Sequence, residues 1–203
     1  MAAFPRTLIP SKVTYPKVPG PMAALGHSNK AQLRGVGALG RRWTETYPPF
    51  KMDATGRAFL AYVSGAWARG TLFDIEHYLL LTKNGGMSGA PTVNGSSQTG
   101  SALAINNCAG SNPVFKAGDI FTLPSFNVVF DVTEDAPNLV TGGCTIKIWP
   151  PIPAGQSPAN GALLTYAAPV RFKQVYIAEQ PQWPDVKSDE YIGNFTLTFQ
   201  EQP

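Results

Sequence analysis

Residues 191–200 read YIGNFTLTFQ. Phe195, Leu197 and Phe199 alternate there with Asn194, Thr196, Thr198 and Gln200. That two-residue period marks a strand with one face in a core and one in water. Upstream, residues 170–179, VRFKQVYIAE, supply a second strand of the same texture. A similar pattern recurs far away, near the beginning of the chain. Residues 41–47, RRWTETY, place Trp43, Glu45 and Tyr47 on one face and Arg42, Thr44 and Thr46 on the other. Glu45 interrupts the apolar face and leaves the orientation of this strand open. Thr71 to Leu81 alternates again: Phe73, Ile75 and Leu79 face one way, Asp74 and Glu76 the other, with His77 on the core side. The two ends of the chain therefore match each other better than either matches the middle. This predicts an outer domain built from residues 1–82 and 167–203, with residues 83–166 inserted into it.

A single segment of the outer domain changes period. In residues 53–68, DATGRAFLAYVSGAWA, Phe59, Leu60, Tyr62, Val63, Ala66 and Trp67 fall on a single helical stripe. Asp53 is placed to cap its beginning and Gly70 to end it. Residues 1–30 carry five prolines and show no period. They read as an extended N-terminal arm, ordered by contacts with partners.

The inserted domain opens on residues 83–100, KNGGMSGAPTVNGSSQTG, read as a flexible linker at a domain boundary. Short strand candidates follow at Ser101–Asn106, Asp119–Leu123, Phe126–Thr133 and Gly143–Trp149, with turns at Lys116–Asp119 and Asn138–Gly143. Prolines at 150, 151, 153 and 158 then break the pattern. That many strands in so short a segment suits a small barrel. The expected class is mainly β: a β-sandwich with one helix plus an inserted small OB-like β-barrel.

Composition agrees. The chain has 203 residues, 43% hydrophobic and only 14% charged, with 20 glycines and 19 prolines. Low charge with ample apolar content excludes a disordered chain, and the breakers exclude a long helical bundle. No apolar run approaches the ~18 residues of a membrane-spanning helix. The first 21 residues have no apolar h-region and are not expected to be a secretory leader. Two cysteines, Cys108 and Cys144, cannot frame a disulfide scaffold and read as small apolar fillers. Charge is unevenly spread. Residues 1–82 hold ten Lys/Arg against four Asp/Glu, residues 83–165 three against four, and residues 166–203 three against five. A basic beginning and an acidic end either solvate two faces or form complementary surfaces between copies.

Residues with catalytic or metal-binding chemistry are few and scattered along the sequence. His27 and His77 stand apart from each other and from the cysteines, without metal-ligand spacing. Ser88, in Gly86-Met87-Ser88-Gly89-Ala90, lacks the strand and final glycine of a nucleophile elbow. Gly35 to Gly40 matches GxGxxG literally, but a strand follows instead of a helix. Asp74 and Glu76 share a strand face about 7 Å apart, within the ~5–10 Å that paired carboxyls of glycosidases use. A solvated outer face explains them as well. The middle segment lacks arginine, which counts against single-stranded nucleic acid.

The order of segments carries more than any one of them. A basic, glycine-rich lead, RGVGALGRRWTETYPPF, precedes the helix AFLAYVSGAWARG and the strand TLFDIEHYLL. Then come FKAGDIFTL, FNVVFDVT, TIKIWPPIPAG, PVRFKQVYIAEQ and YIGNFTLTFQE. Over residues 32–201 this resembles the distal tail protein (Dit) family of long-tailed bacteriophages, in its short two-domain form. The long proline-rich arm and the extended loop 83–100 depart from that pattern. The resemblance implies a hexameric ring at the tail tip, in the virion after assembly in the host cytoplasm. It would join the tail tube protein to the hub and host-attachment proteins, with DNA only in transit through its channel. It implies no enzyme activity, catalytic residue, cofactor, metal or membrane insertion. A ring needs heterologous contacts between unlike surfaces, and Arg34, Arg41 and Arg42 are the candidate subunit-interface residues. The alternative is a carbohydrate-binding module of a phage receptor-recognition structure, using Trp149, Trp183 and Tyr191 as a sugar platform. A third reading is a hydrolase using Asp74 and Glu76.

Overall fold

The computed structural model describes residues 3–14, 22–25, 31–34, 40–77, 83–137, 142–166, 170–181, 186–188 and 191–202; at 22–25, 31–34, 186–188 and 191–192 only the backbone is described. Two compact units emerge: Met1–Ile75 with Lys173–Pro203, and Glu76–Phe172. The fold is mainly β, with one helix among the described residues.

In the first unit, β1 (Lys12–Val13), β4 (Arg42–Tyr47), β15 (Phe195–Glu201), β12 (Arg171–Ile177) and β6 (Phe73–Glu76) form one sheet, in the order β1-β4-β15-β12-β6. The unit boundaries fall inside β6 and β12, the strands by which the chain leaves and returns. The central pair runs antiparallel in an unbroken register from Phe195↔Tyr47 to Gln200↔Arg42. Its alternation buries Trp43, Glu45 and Tyr47 against Phe195, Leu197 and Phe199. Beyond Tyr47, Pro48 and Pro49 interrupt the ladder because they bring no N–H. Pairing resumes as β5 (Phe50–Lys51) with β14 (Tyr191–Ile192), which also pairs with β13 (Val186–Ser188). A separate hairpin joins β2 (Met22–Leu25) and β3 (Ala31–Arg34).

Helix α1 (Ala54–Arg69) begins and ends where the sequence predicts. Asp53 accepts the Gly56 N–H at 2.9 Å, and Gly70, at φ +58°, closes the last turn. Its buried ridge is narrower than the predicted stripe: Gly56, Phe59, Val63 and Ala66 are buried, while Trp67 is 39% exposed. Gly56 lies so close to the Lys51 carbonyl that an added Cβ would come within 2.0 Å of it.

The N-terminal arm departs from expectation. Residues 3–14 are tied to their own unit rather than waiting for a partner. Ala3 bridges Asp74 on β6, and the Phe4 N–H donates to the Asp74 carbonyl at 2.8 Å. The Phe4 ring sits among Phe73, Phe199, Tyr62 and Phe59, with centroids 5.0–6.1 Å away. The segment then crosses to the far side of the sheet, where β1 pairs with β4. Prolines hide it from periodicity, yet a strap needs only anchors at its ends. Residues 1–2, 15–21 and 26–30 of the predicted arm lie outside the described residues.

The second unit is a curled antiparallel sheet of β7 (Thr92–Val93), β8 (Gly100–Asn106), β11 (Cys144–Ile152), β10 (Val129–Val132) and β9 (Ile120–Thr122), in the order β7-β8-β11-β10-β9. Its two edges are joined by residues 161–165. Thr92 bridges Leu163 and Thr122 bridges Thr165. Val93 donates to the Ala162 carbonyl at 2.9 Å, and Thr122 and Thr165 exchange both bonds at 3.0 Å. One segment thus closes the sheet into the small barrel and satisfies both edges. Inside lie Leu103, Ile105, Phe121, Phe130, Val132, Ile146 and Leu164. β11 runs through Pro150 and Pro151 instead of stopping, because its register with β8 shifts between Lys147 and Ile152 and frees the prolines from the ladder.

Residues 83–100 are built into the barrel, which corrects their reading as a flexible linker. Met87 is buried, and its N–H donates to the Val114 carbonyl at 2.9 Å. The buried carboxylate of Asp119 accepts N–H bonds from Asn84 (2.5 Å), Gly85 (2.9 Å) and Lys116 (2.9 Å). Gly110, at φ +123°, approaches Gly86 so closely that a Cβ would come within 1.9 Å of its carbonyl oxygen. Glycine here makes tight packing feasible rather than flexibility.

Candidate functional site

The candidate interface residues fall into different environments. Arg41 is 3% exposed, just before β4. Its N–H donates to Glu201 Oε2 at 3.2 Å, its carbonyl accepts the Glu201 N–H at 2.9 Å, and its Nη1 lies 3.9 Å from Glu201 Oε2. Gly40 makes that approach possible, since a Cβ there would meet the Glu201 carbonyl oxygen at 1.7 Å. Within this chain, then, Arg41 is buried with Glu201 as its near counter-charge. Arg42 is partly exposed and pairs with Glu179. Arg34 ends β3, where only the backbone is described.

Two ion pairs join the oppositely charged ends of the sequence. Arg41 and Arg42 come from the basic beginning, Glu201 and Glu179 from the acidic end; β15 carries Glu201 beside β4, and the chain just after β12 carries Glu179 to Arg42, within one unit. Arg171 and Glu76 make another pair at 2.9 Å, so Glu76 is engaged, beside Asp74, on the face the sequence assigned. Glu45, which interrupts its strand face, is fully buried. Arg6 of the strap holds it in two bonds, Nη1 to Oε2 at 2.5 Å and Nη2 to Oε1 at 3.0 Å. Tyr47 donates to the same carboxylate at 2.7 Å and Trp43 Nε1 at 3.3 Å. Residues i and i+2 on one strand face are the signal that links Glu45 to Trp43 and Tyr47; nothing in the sequence points to Arg6, 39 positions away.

On the outward face of the same sheet, Thr44, Glu179, Gln180, Thr196 and Thr198 line a polar cleft of about 500 Å³. Register places Thr44 opposite Thr198 and Thr46 opposite Thr196. Thr198 donates to Glu179 Oε2 at 2.8 Å. The cleft offers hydroxyls and one carboxylate that already accepts from Thr198 and Arg42. That equips it for hydrogen-bonded contact with a polar surface. A second groove, of about 420 Å³ and mainly apolar, lies between the strap and α1 and is lined by Pro5, Thr7, Ala54, Ala58, Phe59 and Tyr62.

No protein-family model and no curated protein matches this sequence. The remaining sequence candidates are placed by the fold alone. His77 is buried, edge-on to Phe172 at 6.1 Å. Ser88 sits in a loop, its N–H bonded to the Ala109 carbonyl at 2.8 Å. Trp149 is half-buried on β11, opposite Asp131. Trp183 and residues 35–39 of the glycine motif lie outside the described residues, as do His27 and Leu79. Tyr191 is described by its backbone only.

Proposed function

We propose that this chain is a non-enzymatic structural component of a phage tail tip, a distal-tail-type subunit. Its copies close into a ring between the tail tube and the hub with its host-attachment proteins. The observation that carries the reading is the chain's division: one β unit made from both ends of the sequence, with a separately cored barrel inserted between them. The order of segments within that division is the one that resembles the family. Such a subunit suits a ring physically. The outer unit is fastened by contacts between distant stretches of the chain, the strap and the β4–β15 pair among them. That leaves a stiff body whose unlike faces can meet head to tail.

Native mass measurement and electron microscopy of the purified chain test the proposal. A closed assembly of roughly six copies with a central opening is expected for a ring of this kind. A monomer that persists at high concentration overturns it.

A further inference from the structure

Cys108 and Cys144 are the only cysteines of the chain. The fold brings their sulfurs to 3.4 Å from each other, with both residues 4% exposed. The backbone, not the sulfurs, sets this closeness. Cys144 opens β11 opposite Ile105 of β8, and Cys108, just beyond β8, donates its N–H to the Gly142 carbonyl at 2.8 Å. A filler role asks only for small apolar side chains at these positions. It does not ask that both be thiols, nor that they touch.

We propose that this pair is an internal cross-linking site, which a small-molecule disulfide such as oxidised glutathione converts to a disulfide within the barrel. One thiolate attacks the small disulfide, giving a mixed disulfide and releasing one small thiol. The second thiolate attacks the protein sulfur of that mixed disulfide and releases the other. Two S–H bonds break and one S–S bond forms in the protein; its two electrons reduce the small disulfide to two thiols, which take up the two protons. The sulfurs need to approach by roughly 1.4 Å to reach bonding distance. Burial pushes the Cys144 thiol up to about 12 and raises that of Cys108 as well. Both stay protonated at neutral pH, so the exchange is slow and waits on local opening. Once formed, the link closes a loop that contains β9 and β10 and restricts the unfolded barrel.

The full chain is incubated with excess oxidised glutathione, or kept in reductant, in low denaturant so that the barrel opens transiently. Expected are an intact mass lower by two hydrogen atoms, no retained glutathione, and a Cys108–Cys144 cross-linked peptide after digestion. The barrel's melting temperature should rise on the order of 10 °C. Cys108→Ser and Cys144→Ser chains, treated alike, retain glutathione on the remaining cysteine and show no such rise. Persistence of both thiols, a stable glutathione adduct on the unaltered chain, cross-links between chains, or a lowered melting temperature would each overturn the proposal.

Discussion

At the scale of single residues, the outer unit depends on a carboxylate in an aromatic core. Glu45 has no exposed surface, and its partners are Arg6, Trp43 and Tyr47. A buried charge is tolerable only while its counter-charge and hydrogen bonds are in place. Arg6→Ala should therefore destabilise the unit by about 3 kcal/mol, the low end for breaking a buried pair, because Arg6 itself keeps 19% of its side chain in contact with water. Adding Glu45→Gln should recover more than half of that loss. The neutral amide no longer needs a cation, yet still accepts from Trp43 or Tyr47. Urea unfolding of the two variants beside the parent chain checks this. An Arg6→Ala chain as stable as the parent would show that the strap's ion pair carries no weight.

At the scale of elements, what was legible is what repeats. The strands around Trp43, Phe73 and Phe195 show a two-residue period and α1 shows its caps, and both stand in the structure, whereas the strand expected over Phe126–Thr133 forms only at Val129–Val132. The strap, β7 and the segment 161–165 hold two or three paired residues each, in sequence rich in glycine and proline. No period can establish itself in so few positions. Their places are fixed by the unpaired strand edges they satisfy, which are properties of the sheet and not of the segment. Leu164 shows how much depends on one such piece. It is 2% exposed in the barrel core, and its N–H donates to the Pro91 carbonyl at 3.0 Å. Leu164→Ala should cost about 2–4 kcal/mol. More tellingly, it should loosen both barrel edges at once, because one segment bonds to each. In native-state hydrogen exchange the amides of Val93 and Thr122 should lose protection together, while those within the β8–β11 ladder keep theirs. Separate loss at the two edges would mean that residues 161–165 do not close the barrel as one element.

At the scale of the whole molecule, charge asymmetry along a sequence does not say whether opposite charges meet between copies or within one. The sheet order decides. In the order β4-β15-β12, Arg41 meets Glu201 of β15 and Arg42 meets Glu179, just beyond β12, so these charges of the two ends meet within the outer unit. Reversing Arg41 and Arg42 together would therefore confuse folding with assembly, and the two positions must be separated. Arg41→Glu puts two carboxylates side by side in a site 3% exposed. It should prevent the outer unit from folding, since like charges buried without a counter-ion cost several kcal/mol. Arg42→Glu breaks a pair whose side chains are 43% and 59% exposed. Exposed pairs contribute about 0–1 kcal/mol, so this chain should melt within a few degrees of the parent. Circular dichroism melting distinguishes the two variants directly. Only the folded Arg42→Glu chain can then report on assembly. If Arg42 also faces an acid of a neighbouring copy, its reversal should shift the native mass from closed rings toward monomers, most strongly at low salt. Rings that form as readily as in the parent would remove Arg42 from the interface and leave its role inside the chain, beside Glu179.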